Sequence, residues 1–250
     1  MTTPHQPSPN TVETATCVLA GALSRALRED DRSFGVRHSL GDWGDGTGGL
    51  AAVRVLGADV LTPFVLTGRP LPAEDAALVR TAVRAHPAPR IQARETALWG
   101  TRDAALVDAL AAVGVDGAGW EGLAPAPPPN GGLAADWLSL AALLVPLASA
   151  AHPFADAALR AQLAGRGPDL TRGLVRSLLR RDLLSAARLA RWIVLDGQSG
   201  QPGQPGQAGP AVQSAGPPLL APALEHLEVL GSGDPRVLLE VAVARRLMAR

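Results

Sequence analysis

The chain has 250 residues, a formal charge of zero, one cysteine and few aromatics. That length buries a core without covalent staples, and the lone Cys17 excludes an intramolecular disulfide framework and any cysteine-based zinc site. The charge is unevenly spread: eleven arginines face fifteen acids over residues 1–150, and twelve face eight over 151–250, which assigns an anionic partner to the second half.

Residues 1–10 (MTTPHQPSPN) are polar and read as a loose tail. With no apolar leader there and so little cysteine, the expected location is the cytoplasm. A helix should follow, capped by Asn10 with Glu13 closing a capping box, because Val12, Leu19, Leu23 and Leu27 recur at helical spacing. Phe34, Val36, His38 and Leu40 then alternate with Gly35, Arg37 and Ser39, the pattern of a half-buried strand. Leu50–Leu56 and Val60–Thr67, joined by Gly57-Ala58-Asp59, suit an antiparallel hairpin with a three-residue turn. Ala73–Ala85 reads as a helix with Glu74 and Asp75 at its positive end. A short strand over Arg90–Ala97 and a helix capped by Thr101 and ending at Gly114 complete the unit. The expected fold class is therefore α+β: an antiparallel sheet with covering helices over 11–122, followed by a mainly helical unit over 133–250.

Two stretches have linker composition. Residues 123–132 combine a proline run with Asn-Gly-Gly, and 197–218 carry no charge and almost no core-forming side chains, the composition of a disordered loop. Within the second unit, Trp137–Ala151 is too short for a membrane span of roughly 20 residues. It reads as a core helix kinked at Pro146. A helix over Asp156–Ala164 closes at Gly165, and the last helix starts at Asp234-Pro235, a cap followed by proline at the first helical position.

The clearest functional signal is Asp169–Leu195, expected as one basic amphipathic helix. Wound at about 100° per residue, Leu174, Val175, Leu178, Leu179, Leu189 and Ile193 gather on one side, while Arg172, Arg176, Arg180, Arg181, Arg188 and Arg191 occupy the other. Six guanidinium groups on one face suit phosphates or carboxylates. The expected function is a non-enzymatic regulatory or adaptor protein that binds nucleic acid or an acidic protein surface, with a homodimer compatible and no membrane partner. The competing reading is a solvated face, or arginines docked on the protein's own acids.

Three short patterns resemble known families. Leu50–Val83 contains Leu71-Pro72-Ala73-Glu74-Asp75 followed by Leu78-Val79, and this stretch resembles the closing half of a GAF-type sensory domain. The resemblance implies a sheet-containing module that binds a small ligand or another protein. Gly44-Asp45-Gly46-Thr47 resembles the phosphate-binding Gly-Gly-Asp-Gly-Thr motif of NAD kinases and diacylglycerol kinases. It implies a nucleotide-binding enzyme using the loop 41–49, with Asp42, Asp45, Gly46 and Thr47 as its residues, against the plainer reading of a glycine-rich connection. Asp234-Pro235-Arg236-Val237-Leu238-Leu239-Glu240 resembles the final collar helix of clamp-loader subunits and implies a structural subunit of a larger assembly. No cofactor is implied. The five histidines show no metal-binding spacing, and His38 reads as a core residue.

Overall fold

The computed structural model describes residues 8–44, 46–89, 93–125, 136–154, 157–199 and 219–250. Among them the protein is helical throughout, with no strand. The expected α+β class is thus overturned, and with it the sheet that a GAF-type module would require.

The chain opens with α1 (Pro9–Glu29), whose cap is Ser8, not Asn10: the Ser8 side chain accepts from the Thr11 amide. Asn10 lies inside the first turn, where its carbonyl accepts from the Thr14 hydroxyl. Ala15, Leu19, Leu23 and Leu27 form the buried stripe.

The segment expected as the first strand is α2 (Val36–Leu40). Val36 and Leu40, one helical turn apart, are buried, whereas His38 is exposed and takes no part in the core. The expected hairpin is α3 (Thr47–Leu56), a 3₁₀ turn at Gly57–Leu61, and α4 (Thr62–Thr67). Nearly every residue from Gly48 to Val65 is buried, so no polar face marks a helical period. Gly57, at φ 60°, ends α3. Pro63 occupies the first turn of α4, where its missing donor costs nothing. This 47–67 run is long and apolar enough to cross a membrane, but most of it is packed inside the protein.

Helix α5 (Ala73–Ala85) forms as read, and its Asp75 also caps α2, accepting from the Val36 and Arg37 amides at 3.0 and 2.8 Å. Residues 90–92 of the strand expected at 90–97 lie outside the described residues; from Ala93 the chain is α6 (Ala93–Ala112). Thr101 is interior to α6 and bonds back to the Ala97 carbonyl.

In the second half, α7 (Trp137–Leu144) gives way to a 3₁₀ turn at Val145–Ala150 around Pro146, as the proline requires. Then follow α8 (Ala157–Leu163), α9 (Gly167–Leu179), α10 (Leu183–Ser199), α11 (Leu220–Leu230) and α12 (Pro235–Met248). Asp234 caps α12 through the Arg236 amide. Helix α12 lies between α1 and α10, and α6 rests on the 57–61 and 145–150 turns. One buried cluster runs from Leu19 to Leu247 through these elements, with Trp192 of α10 fully enclosed and its indole donating to the Leu144 carbonyl at 2.9 Å. Most of the 1–10 tail and of the 123–132 and 197–218 stretches lies outside the described residues.

Candidate anionic-partner surface

The single helix expected over 169–195 is two. After Leu179 the backbone turns at Arg181, whose φ of 57° is left-handed. The Asp182 amide bonds to the Ser177 carbonyl and the Arg181 amide to the Leu178 carbonyl, the paired closure of a Schellman motif. Asp182 then starts α10, its carboxylate accepting from the Ser185 amide at 3.1 Å. The helical phase does not carry across this break, and the six arginines part company.

Arg191 is completely buried. Its Nε donates to the Ala151 carbonyl at 2.7 Å, and its Nη1 donates to Asp59 at 2.6 Å and to Glu240 at 3.2 Å. Arg188, partly buried, donates to the same Glu240 at 3.1 Å. Burial works against the Arg191 guanidinium, but the Asp59 and Glu240 carboxylates hold it above its ordinary value. Burial likewise pushes the Asp59 carboxyl up, opposed by Arg191. At 2.6 Å from a guanidinium that also serves a second carboxylate, the ionised pair is the state that satisfies the most donors and acceptors. Arg191 ties α10 to α12, to the 57–61 turn and to Ala151, Arg188 adds a second contact to α12, and both guanidinium groups are engaged inside the protein.

Arg172, Arg176, Arg180 and Arg181 are exposed. Arg172 pairs with Asp169 at 3.1 Å, and the Arg176 guanidinium lies 6.0 Å from the centre of the Trp137 ring. Among the described residues no carboxylate lies within ion-pair distance of Arg176, Arg180 or Arg181. Beside them is an open groove of about 600 Å³. Trp137 of α7 and Thr171, Val175 and Leu179 of α9 line it, and Arg172, Arg176 and Arg180 flank it. Leu179 is 82% exposed and Val175 41%, so the apolar side of α9 is not fully used by the core.

The glycine-rich loop is arranged differently. Asp42 is exposed, Gly46 precedes α3, Thr47 starts it, and Asp45 lies outside the described residues. The neighbouring glycines serve packing: a Cβ on Gly49 would stand 2.0 Å from the Trp43 carbonyl oxygen.

A second buried polar group carries no motif in the sequence. Arg54 of α3 binds both oxygens of Asp103, donates to the His86 carbonyl at 2.9 Å, and stacks 4.6 Å from the Trp99 ring centre. Asp103 also accepts from the Ala124 amide. A charge inside an otherwise apolar run, as at Arg54 and Asp59, was the available signal. His152 accepts from the Phe154 amide through Nδ1, which puts its proton on Nε2. Burial and the nearby Arg191 charge draw it down to about 4.

No family model matches the chain, and neither a curated protein nor a solved structure is significantly similar to it.

Proposed function

We propose that the protein is a non-enzymatic adaptor that holds an acidic protein partner on the exposed arginine face of α9. The supporting observation is the contrast between the two halves of the basic segment. On α10 the arginines are matched by Asp59 and Glu240. On α9 and at its C-terminal end, Arg176, Arg180 and Arg181 project beside exposed leucine and valine with no acidic counterpart among the described residues. Carboxylates supplied by a partner would complete this surface.

The apolar floor favours a protein over nucleic acid. Phosphate recognition needs cations and amides, and it gains little from an aliphatic groove wall. The test is the anisotropy of a fluorescent acidic peptide rich in glutamate and leucine, titrated at low and moderate salt against the wild type and against Arg172/Arg176/Arg180/Arg181→Ser. The expected result is salt-sensitive binding that the quadruple variant weakens by about tenfold or more. Equal affinity for both proteins would contradict the proposal.

A further inference from the structure

Resting on that reading, we infer that the occupant of the groove is an amphipathic α-helix whose acidic stripe runs along Arg172, Arg176 and Arg180 while its apolar stripe covers Trp137, Val175 and Leu179. Arg172 and Arg176 are four residues apart on α9, with Arg180 four further on at its C-cap, and Val175 and Leu179 are likewise four apart. Both rows therefore run nearly along the α9 axis with a step of about 6 Å, and the arginine row spans about 12 Å.

That step matches a helical partner. A second helix laid along α9 repeats its i, i+4 side chains at the same spacing of about 6 Å, so two successive turns stay in register with both rows. An extended peptide repeats same-side residues every 6.6–6.8 Å or so, and its other side chains point away from the groove.

The groove floor and the arginine row are adjacent, so the matching helix carries Glu or Asp at i and i+4 beside Leu or Met at i+3 and i+7. The Trp137 ring, already flanked by the Arg176 guanidinium, forms the opposite wall and gives the apolar stripe a flat surface. Charge fixes which way the stripe faces, and the apolar contacts supply the residence time.

The experiment compares three labelled probes by anisotropy: a helix-forming peptide with that acidic and apolar pattern, a peptide of the same composition in permuted order, and a DNA duplex. Each is titrated into the full chain as wild type, Leu179→Ser and Arg176→Ser/Arg180→Ser. All the substituted side chains are exposed, so the fold is kept, and circular dichroism of each variant checks it. The patterned peptide should bind about tenfold more tightly than the permuted one, and both Leu179→Ser and the arginine pair should reduce its binding by about tenfold. Equal binding of the two peptides with no effect of Leu179→Ser overturns the helical occupant while leaving the acidic partner standing. Binding of neither peptide overturns both, and arginine-dependent binding of the duplex alone overturns the protein partner in favour of nucleic acid.

Discussion

Arg191 Nη1 donates to Asp59 across 2.6 Å, joining side chains 132 positions apart in a fully buried pair that Glu240 completes. Three elements that share no local sequence meet at that guanidinium. Removing it leaves the buried Asp59 carboxylate without its guanidinium and Glu240 with Arg188 alone, whereas removing Arg188 costs Glu240 only the more exposed of its two arginines.

Arg191→Ala should therefore lower stability by about 3–5 kcal/mol, and Arg188→Ala by about 1 kcal/mol or less. Urea denaturation checks this through the transition midpoints at unchanged slope. Equal losses in the two variants would show that the Asp59–Arg191–Glu240 cluster is not the lock described.

His152 sets a pH dependence. Its folded value of about 4 lies below the ordinary 6.5, because burial and the Arg191 charge disfavour the imidazolium. A base held below its unfolded value contributes stability in full above about pH 6.5 and loses it as the pH falls towards 4, to a limit of about 3 kcal/mol. His152→Gln should flatten that part of the stability curve. An unchanged slope between neutral pH and about pH 4.5 in the variant would assign the acid sensitivity to other groups.

How far the fold could be read in advance followed how each segment meets solvent. Helices α5 and α12 present one apolar face, with acids in the first turn of α5 and an Asp-Pro start to α12, and both were legible. The 47–67 run is buried on almost all sides, which erased the helical period and left β-branched and aromatic residues to suggest a hairpin. Asp182, an acid amid leucines and arginines, was the one mark of the break in the basic segment. Without that break, helical spacing places Arg188 and Arg191 on the same face as Arg176. Helical spacing puts Arg172, Arg176, Arg180 and Arg181 on a polar face, and all four are exposed. The engagement of Arg188 and Arg191 was not legible, because Asp59 and Glu240 approach α10 only through the tertiary fold.

The break itself is testable. Arg181 sits at the left-handed position that glycine normally takes, at a steric cost of about 1 kcal/mol. Arg181→Gly should raise the melting temperature by a few degrees, corresponding to about 0.5–1 kcal/mol. A fall instead would mean that α9 and α10 are joined in some other way.

The glycine-rich loop gives an equally direct test. A methyl group on Gly49 would collide with the Trp43 backbone, so Gly49→Ala should cost about 1–3 kcal/mol with no ligand present. A fully stable Gly49→Ala protein, read by thermal unfolding, would remove the packing explanation for that glycine.

An NMR titration of the isotopically labelled protein with the patterned acidic peptide decides whether α9 presents the binding surface. Shifts should concentrate on the Trp137 indole and on the amides of residues 171–181, while those of α10 around Arg191 stay still. Shifts centred on α1 or α11, or none at all, would contradict that placement.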